Sequence, residues 1–171
     1  RLGGRVEVRS AGMYARDGNP ADPRAREVAR ELGVDLSAHQ AQRMTPELAA
    51  WAHVIVAMDW LNEVELVARH PEAESRVVML DAWYEAGRRA RAIADPYTGD
   101  LDEVRRCFAH IAECVDGLAG ALSRGAAQLP RASRTSGPRQ GGFVAPASIS
   151  VVIPVFNARR FLDACIPSVL R

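Results

Sequence analysis

The sequence predicts an α/β domain built on a parallel sheet. Two continuous apolar runs, Val54–Met58 and Val77–Leu80, have the composition of strands buried on both faces. Stretches of helical periodicity alternate with these strands, the order that wraps helices around a parallel sheet.

The elements follow in chain order. Arg5–Ser10 alternates apolar and charged residues and reads as a short strand with one exposed face, ended by Ala11-Gly12. After a loop rich in Pro, Gly, Asn and Asp, Asp22-Pro23 supplies an N-cap and a first helical residue. That helix continues through Val28 and Leu32 and stops at Gly33. Thr45-Pro46-Glu47 is a second cap-Pro-acid start, opening a short helix that ends near Trp51. A further helix is expected over about 61–68. The longest helix carries Leu101, Val104, Phe108, Ile111, Val115, Leu118 and Leu122 at spacings of three and four, one unbroken apolar stripe. Cys107 and Cys114 lie beside the stripe and read as small core residues rather than reactive thiols.

Beyond Leu122 the composition changes. Residues 123–147 are rich in Gly, Ser, Pro, Ala and Arg and read as a flexible, weakly basic linker. Order then returns with a β-branched strand over Ile149–Val155, a turn at Phe156-Asn157, and an amphipathic helix over Ala158–Leu170 that Pro167 should bend.

Bulk properties bound the function. In 171 residues, 22 basic side chains face 21 acidic ones, and a net charge of +1 gives no electrostatic ground for nucleic acid or an anionic membrane as partner. No apolar run approaches the roughly 18 residues of a membrane span. Cys107, Cys114 and Cys165 form neither an even disulfide set nor a metal-ligand spacing, so the reading is a cytoplasmic chain with no metal and no cofactor.

Several landmarks then carry chemistry when taken together. They are Ser10-Ala11-Gly12 ending a strand, Pro20-Ala21-Asp22-Pro23-Arg24-Ala25 opening a helix, and Gly33-Val34-Asp35-Leu36-Ser37 leading to His39. Val54–Met58 followed by Asp59 comes next, and then Ile93-Ala94-Asp95-Pro96-Tyr97 before the long helix. Their order and spacing over residues 1–122 resemble the low-molecular-weight protein tyrosine phosphatase family. That resemblance implies a three-layer fold and a phosphatase acting on a phosphotyrosine protein or a small aryl phosphate. A cysteine thiolate in a Cys-(five residues)-Arg loop attacks phosphorus, and backbone N–H groups and the arginine hold the phosphoryl oxygens. An aspartic acid protonates the leaving phenol and then activates water against the cysteinyl phosphate.

Asp95 matches that general acid/base. Pro96 restricts Asp95 to extended backbone and so aims the carboxyl, and Tyr97 supplies an aromatic wall for a phenyl ring. Ser10 and His39 match positions that brace the phosphate loop. The chain departs from the family at His39-Gln40-Ala41-Gln42-Arg43, where the usual Arg-Gln order is exchanged. It also has no Trp between Met13 and Asn19, leaving Tyr14 as the substitute. The same loop chemistry serves arsenate reduction, which stands as an alternative beside a non-catalytic binding remnant.

The expected first strand and its Cys-(five)-Arg loop do not precede the Arg5 strand. The chain begins at Arg1 rather than Met, and the expectation is a phosphatase domain whose front end is missing and which is inactive as this fragment. In the family that first strand sits between the strands at Arg5 and Val54. The Ile149 strand, on its long linker, offers an occupant for the slot. Cys165 and Arg171 have the signature spacing, but Ile-Pro-Ser-Val-Leu between them has no glycine and cannot wrap N–H groups around a phosphate.

Residues 148–171 resemble the start of family 2 glycosyltransferases, in the strand ending Pro154-Val155-Phe156-Asn157 and the helix ending Ser168-Val169-Leu170. The resemblance implies the opening of a second α/β domain, with Pro154, Phe156 and Asn157 near the base of a nucleotide-sugar.

Overall fold

The structure, a computed structural model, describes residues 5–83, 93–123 and 148–154. Four strands form one parallel sheet: β1 (Arg5–Ala11), β2 (Val54–Ala57), β3 (Val77–Met79) and β4 (Ser148–Pro154), in spatial order β1-β4-β2-β3. The helices are α1 (Pro23–Glu31), α2 (Pro46–Trp51), α3 (Trp60–Arg69) and α4 (Leu101–Ser123). Two 3-10 segments, Pro71–Arg76 and Leu80–Trp83, flank β3.

β2 shows why both faces are apolar. All four of its residues are buried. Val54 and Val56 belong to a core shared with Val28 and Ala29 of α1 and with Val104, Phe108, Ile111 and Leu118 of α4. Ile55 and Ala57 point the other way, into a core with Ala49 of α2 and Leu66 of α3. A period of two on the strand therefore separates two helical layers, and the three-layer arrangement follows.

The helix starts are local. Asp22 accepts from the Arg24 N–H at 2.8 Å, Thr45 from the Leu48 N–H at 3.3 Å, and Asp59 from the Asn62 N–H at 2.7 Å. α4 begins with a reciprocal box: the Glu103 N–H donates to the Asp100 carboxylate at 2.8 Å, and the Asp100 N–H donates to the Glu103 carboxylate at 3.0 Å. Past α1, Gly33 takes φ +76°, the left-handed conformation that closes a helix and that a side chain disfavours.

β4 differs from the sequence expectation. The resemblance opens a separate domain at Ser148, whereas the backbone of Ser148–Pro154 lies inside the first sheet, paired to β1 over seven residues and to β2 through Val151 and Val152. It fills the slot that the sequence offered to it. The β-branched run Ile149–Ile153 suits a strand with neighbours on both sides, and without it β1 and β2 would present open edges. Residues 124–147, Phe156, Asn157, Cys165, Arg171 and the helix expected over 158–170 lie outside the described residues. Ser123, assigned to the linker, is the last residue of α4.

Candidate active site

The C-terminal ends of β1 and β2 open onto a cavity of ≈ 330 Å³. Asp95, Pro96 and Tyr97 line it together with Gly12, Tyr14, Asp59 and Arg24. The three residues that the sequence marks for acid catalysis and ring contact are thus gathered at one opening. Asp95 and Tyr97 are both exposed there, and the Asp95 carboxylate accepts the Tyr97 N–H at 3.0 Å, a tight turn that fixes the direction of the carboxyl.

Arg24 holds this turn from the other side of the opening. Its guanidinium donates to the Tyr97 carbonyl at 2.8 Å and to the Gly99 carbonyl, and both oxygens of Asp22 accept from it at 3.1 Å. The Asp22 carboxyl is held below its ordinary value, chiefly by the hydrogen bond from Arg24. Sequence reasoning used Asp22 as a cap and Arg24 as a landmark but did not assign Arg24 this contact. The two ends of the bond are 73 residues apart, and no local pattern encodes it. A Cβ on Gly99 would run into the Glu103 side chain and displace its carboxylate from the Asp100 N–H.

Tyr14 does stand at the cavity, where no Trp is available. Its hydroxyl donates to Glu65 at 2.6 Å and accepts from Arg69 at 3.0 Å, while the Arg69 guanidinium lies 4.9 Å from the ring centroid. The hydrogen bond to Glu65 raises the phenol above its ordinary value. The ring therefore offers its surface while its hydroxyl is engaged.

Ser10 and His39 are placed differently. Both are buried, at 5% and 4% exposure, and neither is among the described residues lining the cavity. His39 is therefore not a surface imidazole. The exchanged pair has a local consequence. Gln42 donates its side-chain N–H to the Ser10 carbonyl at 2.8 Å, and its own carbonyl accepts the Gly12 N–H at 2.9 Å. Arg43 turns outward, its Nε donating to the Ala15 carbonyl at 3.2 Å. The end of β1 is braced by the amide rather than by the guanidinium.

Cys107 also lines the cavity, half-buried, with its thiol 3.5 Å from the Ala94 carbonyl. Burial first, and the Asp95 charge second, push that thiol up to about 11. A group protonated this firmly at neutral pH is no nucleophile. Cys114 is fully buried, as a core residue should be. Pro154 ends β4 with Ala11 as its Cα partner.

Comparison with known proteins places these features in a lineage. Residues 1–128 match the family described as low molecular weight phosphotyrosine protein phosphatase. The chain is 37% identical over 111 residues to the probable low molecular weight protein-tyrosine-phosphatase EpsP of Ralstonia nicotianae, covering 65% of this chain and 73% of that protein. It is 31% identical over 119 residues to the low molecular weight protein-tyrosine-phosphatase Etp of Escherichia coli, covering 70% and 78%. Among solved structures, the YwlE arginine phosphatase from Geobacillus stearothermophilus superposes with a TM-score of 0.65 at 29% identity, covering 70% of this chain and 75% of that one.

Proposed function

The chain belongs to the low molecular weight phosphotyrosine protein phosphatase family, and from that premise we propose that Asp95 is the general acid/base of an aryl-phosphate hydrolase working through a cysteinyl phosphate. The observation that carries this reading is the Asp95-Pro96-Tyr97 turn at the cavity, clamped by Arg24. In such a reaction Asp95 gives its proton to the phenolic oxygen as the P–O bond breaks, then takes one from the water that attacks phosphorus. Tyr97 and Tyr14 supply ring surfaces for the aryl group, favouring a phosphotyrosine side chain or a small aryl phosphate. The relatives are named phosphatases, which favours hydrolysis over arsenate reduction.

The glycine-bearing Cys-(five)-Arg loop that the family resemblance implies has no match in residues 1–171. Cys107 and Cys114 are not followed six residues later by arginine, and Cys165, which is, has no glycine before Arg171. The slot between β1 and β2, where the family resemblance puts the strand leading to the phosphate loop, holds β4 ending at Pro154. That occupancy supports the second reading, in which these residues bind rather than turn over. For 148–171, the glycosyltransferase resemblance rests on the Pro154-Val155-Phe156-Asn157 strand end and the Ser168-Val169-Leu170 helix end, and no transferase activity is proposed for so short a segment.

The test is turnover of para-nitrophenyl phosphate and of a phosphotyrosine peptide. The chain itself should give none above buffer. A chimera carrying a family strand, Cys-(five)-Arg loop and helix ahead of Arg5 should turn both over, and Asp95→Asn should slow it by about 100-fold or more with poor leaving groups. A chimera indifferent to Asp95 would refute the assignment of the acid/base, and turnover by the unmodified chain would refute its inactivity.

A further inference from the structure

Outside the cavity, three metal-ligating side chains of different kinds meet where the Leu80–Trp83 turn packs on α4. His110 and Cys114 stand four residues apart on α4 and so project from one face, one turn above the other. Asp81 comes from the turn. His110 Nε2 is 2.9 Å from Asp81 Oδ1, Cys114 Sγ is 3.8 Å from the same oxygen, and the three donor atoms all lie within 4.8 Å of one another. Asp81 is 5% exposed and Cys114 0% exposed, whereas the His110 side chain is 31% exposed and gives the cluster an opening to solvent.

We propose that Asp81, His110 and Cys114 form a binding site for one zinc-class divalent ion that fastens the Leu80–Trp83 turn to α4. A thiolate, an imidazole and one carboxylate make a donor set of the borderline-soft kind that zinc prefers over magnesium or calcium. With metal–ligand bonds of about 2.0–2.3 Å, the donor atoms of a tetrahedral site stand about 3.3–3.6 Å apart. The 2.9 and 3.8 Å separations straddle that range, and the third pair lies within 4.8 Å, so side-chain motion of at most about 1 Å brings the donors to a tetrahedral spacing. Three protein donors leave the fourth position for a solvent molecule. Binding replaces the Asp81–His110 hydrogen bond by two metal bonds, leaves the neutral imidazole with its proton on Nδ1 instead of Nε2, and releases the Cys114 thiol proton to solvent. Cysteine spacing alone carries no signal of this set, because its members are one Asp, one His and one Cys, 29 and 4 positions apart.

The full chain titrated with Co(II) tests this. One equivalent should bind with a thiolate-to-cobalt charge-transfer band and tetrahedral visible absorption, and one equivalent of Zn(II) should displace it and raise Tm. Cys114→Ser should abolish the thiolate band, and His110→Gln, at the partly exposed position, should weaken Zn(II) at least about tenfold while leaving the apo-protein folded. Cys107→Ser and Cys165→Ser should retain the band. The proposal fails if the unmodified chain shows no thiolate band, if the band follows Cys107 or Cys165, or if His110→Gln binds Zn(II) as tightly as the parent.

Discussion

The Arg24 guanidinium donates to the Tyr97 backbone carbonyl at 2.8 Å while both Asp22 oxygens hold the same guanidinium from behind. One arginine thereby joins the N-terminus of α1 to the turn that carries Asp95. The carbonyls of Tyr97 and Gly99 are acceptors in a loop with no sheet or helix to satisfy them, and a charged donor is the stronger way to do so.

Arg24→Met keeps the length of the stem and removes every donor. The expected outcome is a loop that opens more often while the rest of the fold persists. Amide exchange at Tyr97 and Gly99 should accelerate on the order of tenfold, with core amides of β2 unchanged. Uniform acceleration across the protein would show that Arg24 supports the whole fold and not the turn.

The partner of that arginine titrates in a predictable direction. The Arg24 hydrogen bond holds the Asp22 carboxyl below its ordinary value of about 3.9. The unfolded chain therefore binds the proton first as pH falls. The stabilisation is fully present above the unfolded value and is lost as pH drops through the folded one. Asp22→Asn retains a good N-cap but not the charge. Denaturation midpoints from about pH 5 down to about pH 2 should fall less steeply in the variant than in the parent. Equal slopes would mean that the pair contributes nothing to acid stability.

β4 gives a third expectation. Val151 pairs with Val8 and Val54, and Val152 with Arg9 and Ile55, so both are flanked on two sides. Deleting Ser148–Arg171 should open the edges of β1 and β2, hasten limited proteolysis of residues 1–123, and broaden thermal unfolding. Val152→Pro, which removes a ladder donor from an interior strand, should act in the same direction. Unchanged protease resistance in both variants would show that the sheet does not depend on β4.

What the sequence disclosed and what it hid divide along contact range. The α4 stripe, the caps at Asp22 and Thr45, the stop at Gly33 and the doubly buried β2 are all encoded within one element and were legible there. The Arg24–Tyr97 bond, the Tyr14–Glu65 pair and the meeting of Asp81 with His110 join residues 29 to 73 apart, and only the packed chain brings them together. Gln42 is the intermediate case. Its departure from the family order was visible, but its bond to the Ser10 carbonyl depends on how the following loop lies against β1.

Gly117 puts two rules in opposition. In a solvent-exposed helix interior, Gly→Ala stabilises by about 1 kcal/mol because alanine has less backbone freedom to lose. At Gly117, however, a Cβ would press on the Trp83 carbonyl, a backbone atom that cannot rotate away as a side chain could. Relief requires α4 to part from the Leu80–Trp83 turn, and overpacking of that sort costs about 1–3 kcal/mol. The steric term is the larger, so Gly117→Ala should lower the urea midpoint despite its better helix propensity. A variant more stable than the parent would show that the turn gives way freely. The same looseness would then have to appear in the Asp81–His110 distance, since both contacts tie the one short turn to the one helix.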